Sequence, residues 1–120
     1  MKKGLIIEDD ADVRHLLSKL LKSEGFEVLQ AENGKVALDL LQKTQKPDFI
    51  LLDLKMPQMD AVGFRKIQEL DPKIASIPVI IVSADDNLDI KSLKLGLTYT
   101  VKKPIDINNL LSTISKVMEN

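Results

Sequence analysis

Cysteine and tryptophan are absent, histidine occurs once, and aromatic residues make up only 3% of the 120-residue chain. Without cysteine there can be no disulfide, no thiolate zinc site and no cysteine nucleophile. The aromatics Phe26, Phe49, Phe64 and Tyr99 are too few for the stacking platforms used by single-strand nucleic-acid binders. A charge excess of either sign is also missing. Seventeen cations against eighteen acids leave a net charge of −1, which points to neither nucleic acid nor an anionic membrane as partner. No apolar run exceeds strand length, and Lys2-Lys3 is followed by only four residues before acids begin. The pattern predicts neither a membrane span nor a signal peptide, and the cytoplasm is the expected location.

What is present is the balance of a soluble globular protein, 44% hydrophobic and 29% charged, in a chain the length of one domain spanning residues 1–120. Short apolar runs alternate five times with segments of helical period. Gly4 to Ile7 forms the first run and ends in Glu8-Asp9-Asp10. From Asp12 to Glu24, Val13, Leu16, Leu17, Leu20 and Leu21 mark one helix face. Asp10 suits its N-cap and Gly25 a left-handed C-terminal cap. Phe26 to Ala31 reads as a second strand, Glu32-Asn33-Gly34 as a turn, and Val36, Ala37, Leu40 and Leu41 as a second helical stripe. Phe49 to Leu52 is a third strand ending in Asp53, and a third helix runs over about Ala61 to Leu70. Pro78 to Val82 is a fourth strand ending in Ser83. A weaker helix carrying Leu88, Ile90, Leu93 and Leu95 precedes a short fifth strand at Tyr99 to Val101, then Lys103-Pro104 and a last helix from Ile107 to Met118. Continuous apolar strands between amphipathic helices mean a parallel sheet covered on both faces. The (βα)5 count predicts a flavodoxin-like doubly wound α/β fold with strand order 2-1-3-4-5.

Glu8-Asp9, Asp53, Ser83 and Lys103 each follow or end a strand, and in a parallel sheet those ends share one edge where ligands bind. Three carboxylates held together there repel one another and ask for a cation. All-oxygen ligands suit Mg²⁺ or Mn²⁺ better than zinc. Asp53 could act as a nucleophile toward phosphorus. The cation, the Lys103 ammonium and the Ser83 hydroxyl would then each serve one oxygen of the transferring group. Asp53 alone would read equally well as a cap; the other strand-end residues argue for chemistry. Asp10 is better read as a helix cap than as a metal ligand. His15, off the apolar stripe, is an exposed helix residue, and Met56, Met59 and Met118 are core or loop filler.

Glu8-Asp9-Asp10, Asp53-Leu54-Lys55-Met56-Pro57, Ser83-Ala84 and Lys103-Pro104 together resemble the motifs of response-regulator receiver domains, over essentially the whole chain. The resemblance implies phosphotransfer to Asp53 from a histidine kinase, a phosphotransfer protein or a small phosphodonor. It assigns metal ligation to Asp9, Asp53 and the Lys55 carbonyl, with Glu8 acting through water, and a cis bond at Lys103-Pro104. Lys55 and Asp85 fall where flanking residues tune the lifetime of the acyl phosphate. The face of the fourth helix, fifth strand and fifth helix is the implied surface for a downstream partner, in a monomer or a phosphorylation-dependent dimer, within a two-component system or phosphorelay. Two positions depart from the family pattern. The usual switch aromatic falls on Thr100, with Tyr99 one place earlier and pointing to the opposite face, so a Ser83–Thr100 contact or a weaker switch is expected. Asp60-Ala61 replaces a common Asp-Gly, which predicts a slightly different or slightly strained loop.

Other chemistries fit less well. A haloacid-dehalogenase-type hydrolase wants a second aspartate where Lys55 stands, and the acids after the first strand would repel a flavin phosphate. A degenerate receiver that works by binding alone would not need the full set of acids and lysine. The domain is expected to catalyse only its own phosphorylation and hydrolysis, and so is not an enzyme in the ordinary sense. Met1 and a composition without tags suggest the stand-alone form rather than a piece of a longer regulator.

Overall fold

The computed structural model describes residues 2–54, 61–97 and 99–119. Five strands alternate with five helices: β1 (Lys3–Ile7), α1 (Ala11–Ser23), β2 (Glu27–Ala31), α2 (Gly34–Lys43), β3 (Phe49–Asp53), α3 (Ala61–Leu70), β4 (Val79–Ser83), α4 (Leu88–Lys94), β5 (Thr100–Lys102) and α5 (Ile107–Glu119). All strand pairs are parallel, in the order β2-β1-β3-β4-β5. The expected fold is the observed one.

Alternation along each strand divides the core in two. Leu5, Ile7, Ile50, Leu52 and Ile81 face α2, α3 and α4, where Phe64 and Leu88 pack. Ile6, Phe49, Leu51, Ile80 and Val82 face α1 and α5, against Leu17, Leu21, Leu110 and Ile114. Central strands β3 and β4 are buried at every position, which is why they read as continuous apolar runs. Each such Leu or Ile removed from water contributes about 1.5–3 kcal/mol.

Helix ends follow local chemistry. The Asp10 carboxylate accepts from the backbone N–H groups of Asp12 at 2.9 Å and Val13 at 3.2 Å, capping α1 as expected. Gly25, at φ 91°, lets the N–H groups of Gly25 and Phe26 return to Lys22 and Leu21 carbonyls, both at 3.1 Å. Gly96, at φ 73°, ends α4 the same way, with Gly96 N–H to Leu93 and Leu97 N–H to Ser92, both at 3.0 Å.

Several local readings change. Asn33 caps α2 through its side chain and Gly34 is the first helical residue, not part of a turn. Leu16 is 56% exposed, off the buried face of α1. In α4 the buried residues are Leu88 and Ser92, while Ile90 and Leu93 are 58% and 64% exposed. Strand β5 begins one residue later than expected. Ala61 opens α3 with its side chain buried, and no described non-glycine residue has positive φ. The strain expected there is absent at Ala61; Asp60, Lys55, Met56, Pro57 and Met59 lie outside the described residues.

Candidate functional site

The strand register carries the site residues to one edge. Ile7 pairs with Leu52, so Glu8 and Asp53 stand side by side at the ends of β1 and β3. Asp53 in turn pairs with Val82, and Ser83 with Lys102. Two backbone bonds extend the ladder past the strand ends and place the next side chains. Glu8 N–H donates to the Ala31 carbonyl at 3.0 Å, and Lys103 N–H to the Ser83 carbonyl at 2.9 Å. The Lys103-Pro104 bond is cis, as the resemblance implied.

Glu8, Asp9 and Asp53 each offer a carboxylate oxygen within 4.8 Å of the others. Glu8 and Asp53 are buried and Asp9 is exposed, so the cluster has two buried carboxylates and one at its mouth. With Ser83, Asp85 and Lys103 these acids line a cleft of about 380 Å³. The donor set is hard oxygen throughout, which fits a small divalent cation. Every predicted site residue among the described ones reaches this cleft apart from Thr100. The Lys55 carbonyl lies outside the described residues.

The Lys103 ammonium reaches Glu8 Oε1 at 2.5 Å. Burial pushes the Glu8 carboxyl up, but its hydrogen bond to Lys103, that cation's charge, and hydrogen bonds with Asp53 and Asp9 outweigh burial and hold it below its ordinary value. Arg14 Nη1 also donates to the Glu8 carbonyl at 2.8 Å. The sequence reading missed Arg14; its signal is a cation in the first turns of α1, one place after the stripe residue Val13. Ser83 Oγ accepts from the Asp85 N–H at 3.2 Å.

Thr100 donates to Asp89 Oδ1 of α4 at 3.3 Å, on the α4 side of the sheet. Tyr99 packs against the opposite core, the one under α1 and α5. The two neighbours face opposite ways, as strand geometry demands. His15 is exposed and Met118 packs at the edge of the core.

The family model for the response regulator receiver domain matches residues 5–115. Sporulation initiation phosphotransferase F of Bacillus subtilis is 35% identical over 119 residues, covering 98% of this chain and 94% of that protein. Protein PilH of Pseudomonas aeruginosa is 34% identical over 122 residues, covering 98% of each. Other curated relatives are longer, the chain spanning 25% of one and 51% of another. Among solved structures, Vibrio cholerae chemotaxis protein CheY4 superposes with a TM-score of 0.88 at 28% identity, over 98% of both chains.

Proposed function

Because the chain belongs to the response regulator receiver domain family, a family of phosphoacceptor signalling switches, we propose that Asp53 is its phosphoacceptor and that residues 1–120 form the receiver domain. One observation carries this reading. The carboxylate that ends β3 is buried beside Glu8 and Asp9, with oxygens within 4.8 Å of one another, in a cleft that Ser83 and Lys103 also line.

A carboxylate oxygen of Asp53 attacks phosphorus of a histidine kinase's phosphohistidine, of a phosphotransfer protein or of a small phosphodonor. The new P–O bond forms as the donor's P–N bond breaks and the imidazole nitrogen keeps the electron pair; with an acyl phosphate the donor's P–O bond breaks and the carboxylate leaves with the pair. Mg²⁺, or Mn²⁺, held by Asp9, Asp53 and the Lys55 carbonyl with Glu8 behind a water, would neutralise one phosphoryl oxygen. Lys103 would leave Glu8 to neutralise a second, and the Ser83 hydroxyl would donate to the third. Hydrolysis runs the other way: water attacks phosphorus and the P–O pair returns to Asp53. Lys55 and Asp85, each two residues beyond a site residue in the sequence, set the lifetime. The loaded state offers contacts on the α4–β5–α5 face that the unloaded state does not, and so shifts a two-state equilibrium toward binding a downstream protein. Monomer and phosphorylation-dependent dimer both fit this scheme, and the cytoplasm is the proposed location.

The test is intact-protein mass spectrometry after incubation with acetyl phosphate and Mg²⁺. A gain of one phosphoryl group is expected, absent in Asp53→Asn and in EDTA. No gain from acetyl phosphate or from a histidine kinase would overturn the reading and leave a domain that works by binding alone.

A further inference from the structure

The chain has two arginines among its seventeen cations, and both guanidinium groups donate to a backbone carbonyl of another segment. Arg65 Nε meets the Leu95 carbonyl at 3.3 Å. Arg14 Nη1 meets the Glu8 carbonyl at 2.8 Å, where β1 gives way to the run of acids. A guanidinium is a rigid fork of donors, suited to holding an acceptor in place where a lysine supplies a mobile point charge.

Asp9 needs such holding. Of the three clustered carboxylates it alone is exposed, so packing does not set its direction as burial does for Glu8 and Asp53. What remains is the backbone on either side of it. Before Asp9, the Glu8 N–H is tied to the Ala31 carbonyl at 3.0 Å and the Glu8 carbonyl to the Arg14 side chain. After Asp9, the Asp10 carbonyl accepts from the Arg14 N–H at 2.9 Å, the first bond of α1. Arg14 thus holds the carbonyls on both sides of Asp9, one with its side chain and one with its main chain. A further tie in this loop, Asp10 N–H to Glu8 Oε2, is 3.5 Å long and therefore weak. Arg14 is half-buried and forms no ion pair with a carboxylate among the described residues. Its contact with the acid loop is a hydrogen bond to the main chain.

We propose that Arg14 is a positioning residue for the cation site, setting the direction of the Asp9 carboxylate through the Glu8 carbonyl. The proposal rests on the reading of Asp9 as a Mg²⁺ ligand. The charge of Arg14 and its hydrogen bond act on the metal in opposite senses, which makes them separable. A guanidinium near a cation site repels the metal, so a role through charge alone makes removal of Arg14 tighten Mg²⁺ binding. A role in positioning makes removal weaken it, as loss of a group that orients a metal ligand does.

Amide shifts of residues 8–10 in a Mg²⁺ titration of the full chain, with no phosphodonor present, give the dissociation constant. Arg14→Met keeps an apolar stem on α1 and removes both charge and donors. It is expected to weaken Mg²⁺ about tenfold and to lower the order parameter of the Asp9 amide. Arg14→Lys keeps the charge and a donor, and should bind nearer to wild type than to Arg14→Met. Tighter binding in Arg14→Met overturns the proposal and leaves Arg14 acting through its charge; unchanged binding overturns it too and leaves a residue that only packs. Urea unfolding shows whether each variant is folded, and Arg14→Gln, neutral and shorter, takes the place of an Arg14→Met that is not, with the same outcomes. Asp9→Asn tests the underlying reading and should abolish the response. Asp9→Asn binding as wild type does, or wild-type amides that ignore Mg²⁺, would take the cation away from Asp9 and the proposal with it.

Discussion

Glu8 and Lys103 lie 95 positions apart in the chain, yet their side chains meet at 2.5 Å beside Asp53. Glu8 is 2% exposed, and of the contacts that hold its carboxyl in the charged form against burial the ammonium is the strongest. Lys103→Met would strand that carboxylate. At pH 7 in EDTA the variant is expected to lose about 1–3 kcal/mol of stability, the cost of leaving a buried charged acceptor unpaired. The sign of the pH dependence follows from the lowered value of Glu8. Held below 4.5, its carboxyl binds fewer protons folded than unfolded, so the stabilisation is full above 4.5 and disappears as pH falls through the folded value. Urea titrations from pH 7 to pH 3 should therefore show the gap between wild type and Lys103→Met closing toward the acid end. A gap independent of pH would mean that the lysine acts through packing alone.

At the level of elements, the sheet was legible because its central strands are buried on both faces and read as unbroken Phe-Ile-Leu-Leu and Val-Ile-Ile-Val runs. Four helices were legible from apolar spacing. Helix α4 was legible only in part. With seven residues it offers two turns to judge, and Ile90 and Leu93 point outward where the spacing put them inward. Buried polar residues escape any hydrophobic pattern: Ser18 and Gln68 take partners outside their own helices, Gln30 and Ile77, and Ser92 Oγ has none among the described residues. Gly4 is another such case. It reads as an ordinary member of an apolar run, but a Cβ there would lie 2.5 Å from Phe49 Cζ. Moving that ring costs packing, because it is fully buried and meets Phe26 edge-on at 5.5 Å. Gly4→Ala is expected to destabilise the domain by about 1–3 kcal/mol, as overpacking does. The lost Phe26–Phe49 contact should show as shifted aromatic proton resonances. An unchanged urea midpoint would show that β1 moves to make room.

Over the whole molecule, the parallel topology turns scattered strand ends into one cleft, and this is why the residues that meet there could be expected from sequence to share it. Their pairings could not. Which cation meets which acid depends on side-chain direction, and Lys103 on Glu8, Arg14 on the Glu8 carbonyl and Lys91 on Asp85 have no counterpart in spacing. The same topology sets a conflict into the fold, since Glu8, Asp9 and Asp53 gather within 4.8 Å, with Lys103 meeting that charge at Glu8. A divalent cation relieves the repulsion and binds the folded state alone, so Mg²⁺ should raise stability with concentration, by about 2.7 kcal/mol at a hundredfold excess over its dissociation constant. Asp9→Asn and Asp53→Asn remove one like charge each. Both are expected to be as stable as wild type or more so in EDTA, and to lose most of the Mg²⁺ response. Thermal unfolding across a Mg²⁺ series reads both quantities at once. Equal metal responses in wild type and both variants would place the cation elsewhere on the protein. A wild-type midpoint unmoved by millimolar Mg²⁺ would mean that Lys103 already neutralises the cluster, and that the cation enters only together with the phosphoryl group.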